Sequence, residues 1–194
     1  MAGYTFVSVP KKSDAAGRPT GKKNIIILFK WPDVKTFTKD EKGVLVTAFE
    51  FQEGQKPIGV YATSSTIHAY DSLEGDADAK GYIHKVDWET PGDSLELAEM
   101  RNHIANAELG AIVIDCSEKN AKIAGTPCTP LLVAKDDSQD NSEAKKNSIN
   151  LASILRSGPI GRIPLNLIPS TDSEEINKYL GLPHSPASSA SMGV

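Results

Sequence analysis

Apolar positions along this chain recur mostly with a period of two, in short runs broken by Gly, Pro and charged residues. That pattern predicts strands. Residues 4–9 alternate well enough for a first strand. Residues 24–30 place Ile25, Ile26, Ile27, Leu28 and Phe29 in succession, a largely β-branched run that reads as a buried strand ended by Pro32. Residues 44–51 are partly apolar on both faces and read as a strand covered on both sides. Further strands are expected at 58–62, 66–70 and 82–88, where Tyr82, His84, Val86 and Trp88 alternate with Ile83, Lys85 and Asp87. The series resumes at 111–116, 121–124, 131–134, 148–155 and 159–164.

The period changes once in earnest. Leu97, Met100, Ile104 and Ala107 stand three and four apart, which predicts an amphipathic helix packed on a sheet. Asp93 and Glu96 have the spacing of a capping box at its start, and Gly110 is expected to close it. A short second helix is expected at 174–180, capped by Gly181. The segments between are polar: an arm at 10–23 rich in Gly, Pro and Lys, an acidic loop at 71–81, and a loop at 136–146. Residues 183–194 form a Ser/Ala/Pro-rich tail expected to be flexible. Roughly ten short strands and one main helix predict a mainly β fold, a β-sandwich or barrel with one flanking α-helix and long loops. Residues 1–182 then make a single β-rich domain that includes the arm. Loops this long are uncommon in compact monomers, and interaction is their expected role.

Composition sharpens that picture. Only 39% of the 194 residues are hydrophobic and 6% aromatic, which suits a thin sheet-built domain whose arms find partners in other subunits. The net charge of -4 argues against a nucleic-acid binder, but the charge is unevenly spread. In residues 1–30 Lys11, Lys12, Arg18, Lys22, Lys23 and Lys30 face Asp14 alone, whereas residues 71–99 are strongly acidic. A basic arm and an acidic middle attract each other between copies. The subunit-interface candidates are therefore Lys11, Lys12, Arg18, Lys22 and Lys23 against Glu74, Asp76 and Asp78, with two solvated charge runs as the alternative. Cys116 and Cys128 match no zinc spacing and read as free thiols of a reducing compartment. The first residues have no secretory pattern, and no apolar run approaches the length of a membrane span. A soluble protein made in a cytoplasm, with no membrane partner, is expected.

The candidate chemical motifs each fail on a stated point. Residues 17–23 resemble a phosphate loop, but the glycines are one residue too close, Lys23 stands where Ser or Thr should bind magnesium, and a strand follows instead of a helix. Residues 76–87 have the outline of a calcium loop, yet Lys80 occupies a ligand position and Asp87 the place of the bidentate Glu. His68, His84, His103 and His184 are scattered, and none pairs at helical metal spacing. His68, Asp71 and Ser65 are triad residue types without a nucleophile elbow. No catalytic residue, cofactor or metal is expected, and Trp31 and Trp88 read as core or interface anchors.

Taken together, the apolar strand at 24–30, the acidic loop at 71–81, the helix at 93–107 and the terminal arms resemble the tail tube proteins of tailed bacteriophages and the related tubes of contractile injection systems. The resemblance is one of organisation over most of the chain. It implies a structural virion protein assembled in the host cytoplasm, whose copies form stacked rings around a channel. DNA would pass through without specific binding, and other virion proteins would be further partners. A capsid decoration or tail-completion protein is the first alternative, and an enzyme or binding protein with an unrecognised site the second.

Overall fold

The computed structural model describes residues 6–11, 13–14, 17–116 and 119–183. The chain is mainly β, in the order β1 (Lys22–Lys30), β2 (Val34–Lys39), β3 (Val46–Phe51), β4 (Ile58–Tyr61), β5 (His68–Glu74), β6 (Gly81–Pro91), α1 (Leu95–Ile104), β7 (Leu109–Asp115), β8 (Asn120–Ala124), β9 (Leu131–Asp140), β10 (Lys145–Ser153), β11 (Gly161–Pro164) and α2 (Glu174–Leu180). Nine strands share one hydrogen-bonded network, but β7 and β9 meet only at the Leu109–Leu131 pair. The network therefore works as two sheets, β4-β1-β7-β8-β11 and β9-β10-β6-β5. They face each other as a sandwich, while β2 and β3 form a separate hairpin.

The first sheet is the middle layer. Its strand β7 is buried at every position, in keeping with the unbroken apolar run at 111–114. Even-numbered residues of β1, Ile26 and Leu28, join Ala111 and Val113 in a core against Val86, Trp88, Ile149 and Leu151 of the second sheet. Odd-numbered residues, Ile25, Ile27 and Phe29, join Ile112 and Ile114 in a second core, roofed by Phe49 of the hairpin and Leu180 of α2. Strict alternation feeds both cores from one strand. Gly110 makes the second core possible. It lies opposite Phe29, and a Cβ there would stand 2.2 Å from the Phe29 ring.

Several sequence expectations change in detail. The expected strand at 4–9 does not form over 6–9, and Tyr4 and Thr5 lie outside the described residues. The arm expected at 10–23 ends sooner, because Lys22 already pairs with Asp115 in β1. No strand is expected at 34–39, yet β2 forms there through the facing pair Phe37–Phe49. The loop expected at 136–146 is the outer half of the β9–β10 hairpin, paired from Asp136–Ile149 to Asp140–Lys145. Its polar sequence conceals the ladder, because backbone bonds carry a ribbon that runs past the end of the core. Residues 71–74 of the expected acidic loop likewise belong to β5.

The main helix is shorter than its apolar spacing suggests. Ser94 caps it by accepting from Leu97 N–H at 3.2 Å, and Asp93 lies 3.8 Å from Lys145 instead. The helix ends at Ile104, and Gly110 lies inside β7. Leu97 and Ile104 are buried, and Met100 and Ala107 pack on the first core as their spacing predicts. The second helix ends as expected: Gly181 takes a left-handed φ of 72° and donates its N–H to the carbonyls of Asn177 and Lys178.

Candidate assembly surfaces

The second sheet is open on both sides. Among the described residues β5 pairs with β6 alone, and β9 pairs with β10 along its length but touches β7 only through Leu131. The unpaired backbone of 132–140, and that of β5 apart from the Ala69 carbonyl, which accepts from Lys122, is therefore available to another chain. Leu73 of β5 is a half-exposed large apolar residue, and Ile154 and Leu155 in the loop after β10 are more exposed still.

The outer face of that sheet is polar and internally matched. Burial of His84, Val86 and Trp88 on β6 and of Asn147, Ile149 and Leu151 on β10 turns the alternate residues outward. There Lys85 lies 3.7 Å from Glu74, Lys146 lies 2.9 Å from Glu89, and Lys135 pairs with Asp137. Asn150 donates to Asp87 at 2.8 Å. Asp87 also acts on Tyr70, whose pKa is pushed upward by desolvation and then by the Asp87 charge. Each lysine named on this face has its own carboxylate, so the face offers a polyanion little unpaired positive charge.

A second surface is cationic. Between the start of β5 and the β8–β11 pair lies a cleft of about 580 Å³ lined by Arg18, Lys22, His68, Asp115, Lys122 and Arg162. Lys122 reaches across the sandwich and donates to the Ala69 carbonyl of β5 at 3.0 Å. Burial lowers its pKa, and the nearby cations Lys22 and Arg162 lower it further. Asp115 is engaged by Lys22, and Asp71 accepts the Ile160 N–H at 2.8 Å. The cleft therefore carries an excess of positive charge suited to a carboxylate or phosphate. Sulfate is expected to raise the melting temperature of the chain more than that of Lys122→Met, compared with chloride at equal ionic strength. Equal responses in the two proteins would remove Lys122 from any anion site.

The residues singled out from charge are divided between these surfaces and the chain's own interior. Arg18 lines the cleft. Lys22 is spent on Asp115, and Lys23 donates to the Tyr179 carbonyl at 3.3 Å with its ammonium 5.2 Å from the Tyr179 ring centre. Those two cations hold β1 to its own neighbours. Lys11 stands exposed, 3.1 Å from Asp14, and Lys12 lies outside the described residues. Glu74 ends β5 on the polar face, and Asp76 and Asp78 lie exposed in the β5–β6 turn, Asp78 with a left-handed φ of 67°. The tail at 184–194, with His184, also lies outside the described residues. Charge counting misses Lys122 and Arg162 because only the fold brings β8 and β11 beside β5. Cys116 and Cys128 are free and exposed.

His84 belongs to the interior. It is fully buried; its Nδ1 accepts the Gly125 N–H at 3.0 Å and its Nε2 donates to the Gly158 carbonyl at 2.8 Å. Burial lowers its pKa from the ordinary value, the Gly158 carbonyl raises it, Lys39 lowers it and Asp71 raises it. The ring ties β6 to the turns after β8 and β10. Comparison of the chain with protein-family models, curated proteins and solved structures finds no match.

Proposed function

We propose that this chain is a structural subunit of a bacteriophage tail tube, whose copies join through sheet edges into rings that stack around a channel. The observation that carries the reading is the four-stranded sheet β9-β10-β6-β5, open at both sides. Edge-to-edge pairing of such sheets closes a ring and removes a liability that a lone subunit would expose. With this sheet turned inward, the paired lysines and carboxylates of its outer face would line the channel, and DNA would slide past without finding free cations.

The purified protein is expected to give rings or hollow tubes in negative-stain microscopy as its concentration rises, with sedimentation following the same course. Tyr70→Lys combined with Leu73→Lys on the β5 edge should remain folded and raise the assembly threshold by about tenfold or more. A particle that stays monomeric at every concentration overturns the reading and favours a decoration or tail-completion component.

A further inference from the structure

Strand β4 has a second free edge, separate from those of β5 and β9. On its paired side Ala62 N–H donates to the Asn24 carbonyl, so the bonded pairs with β1 run through Val60–Ile26 and Ile58–Leu28. The backbone of Gly59 and Tyr61 then points away from β1. Tyr61 O accepts the Thr90 hydroxyl and Pro57 O accepts the Asp172 N–H. Among the described residues the Gly59 N–H and C=O and the Tyr61 N–H have no hydrogen-bond partner within the chain. This edge forms the floor of a groove of about 490 Å³. Leu97 and Met100 of α1 make one wall, and Ser173 and Ile176 at the start of α2 make the other. Glu96, Glu99 and Asp172 line the same groove.

The arm supplies a segment of matching length, pattern and charge. Phe6, Val7 and Val9 are 93%, 63% and 92% exposed, and residues 6–9 carry no regular structure. The order Phe6-Val7-Ser8-Val9 is four residues long, as β4 is, and Pro10 ends it where a ladder N–H would be lost. Lys11 and Lys12 follow at once. The root of the arm favours a second copy over the arm's own subunit. Gly21 accepts the Cys116 N–H at 2.8 Å and Lys22 pairs with Asp115, which ties the arm to β7, on the side of β1 away from β4.

We propose that residues 6–9 of one copy add as a strand to the free edge of β4 in a second copy, between α1 and α2, with Lys11 meeting Glu96, Glu99 and Asp172. Main-chain bonds to Gly59 and Tyr61 would give affinity. Apolar side chains placed alternately against Met100 and Ile176 would give register. Such a contact is head-to-tail, so it propagates into rings or filaments instead of stopping at a dimer. The proposal rests on the self-assembly reading above and names one of its contacts.

The test uses a labelled peptide of residues 4–12 and the full chain carrying Val7→Asp and Val9→Asp, which disables its own arm. Saturable binding is expected. Val7→Asp with Val9→Asp in the peptide, or Glu99→Lys in the chain, should weaken it by about tenfold or more, and added salt should weaken it further. In a Cys116→Ser, Cys128→Ser background, one copy with Val9→Cys and another with Tyr61→Cys should form a disulfide between chains under mild oxidation. Failure of the peptide to bind, or cross-linking only within a chain that carries both cysteines, overturns the proposal. Tubes that still form when the peptide does not bind would leave the tube reading standing. Peptide binding without rings or tubes would sink the tube reading and keep the arm contact.

Discussion

Gly110→Ala should lower stability by about 3 kcal/mol, the upper end of what overpacking a close-fitted core costs. The added methyl would stand 2.2, 2.5 and 2.9 Å from three atoms of the Phe29 ring. That ring cannot step aside cheaply. Its centre lies 5.0 Å from Trp31, 5.2 Å from Phe49 and 5.7 Å from Phe51, all edge-to-face. Any movement passes into the β2–β3 hairpin that roofs the second core. For a domain of this size the melting temperature should fall by about 6–12 °C. Phe29→Leu alone also destabilises by opening space, but combined with Gly110→Ala it should recover part of the loss, a coupling that a double-mutant cycle measures. An unchanged melting temperature for Gly110→Ala would mean that Phe29 has room which the packing does not show.

Replacing His84 by leucine should cost about 2 kcal/mol at pH 8, because the buried Gly125 N–H loses its partner. The Gly125 N–H would be stranded, while the Gly158 carbonyl keeps the Ser157 hydroxyl at 3.1 Å. The same geometry makes the native chain sensitive to acid. A proton on Nδ1 would face the Gly125 N–H donor and place a charge in the core, so the folded pKa lies below the ordinary value. The unfolded chain therefore takes up this proton first as the pH falls. Stability from the neutral ring is fully present above about pH 6.5 and declines below it by up to about 1.4 kcal/mol per pH unit, until the folded pKa is reached. His84→Gln can accept from Gly125 and donate to Gly158 without titrating, so its stability should change less between pH 7 and pH 5. Parallel pH profiles for the two proteins would show that His84 is not the group responsible.

Much of the fold was legible because burial on both faces leaves an unmistakable mark. The runs at 25–29 and 111–114 are apolar without alternation, and they lie in two interior strands of the middle layer. The alternation of Val86 and Trp88, and of Ile149 and Leu151, marked strands with one wet face. Helix α1 followed from the spacing of Leu97, Met100 and Ile104. Where pairing continues beyond the core, the signal disappeared: the ends of β9 and β5 have no face to bury, so their residues read as loops.

The assembly surfaces were legible only in part. Net charge along the chain separated a basic arm from an acidic middle, but it could not tell Lys22 and Lys23, held by Asp115 and Tyr179, from Lys11, which stands in solvent. Likewise the acids of 71–89 divide between the matched outer face, as with Glu74 and Glu89, and an exposed turn, as with Asp76 and Asp78. Charge pairing depends on which strands lie side by side, and register is not written in composition.

The sequence by itself determined that this is a strand-built chain with one core-facing helix, a basic arm and an apolar centre, because hydrophobic period and turn residues act locally. Only the tertiary structure decided that β1 and β7 serve two cores, that Lys122 and Arg162 share a cleft with the root of the arm, and that β4, β5 and β9 keep unpaired edges. Those outcomes depend on contacts between residues far apart in the chain, and the same local pattern is compatible with many ways of pairing the strands.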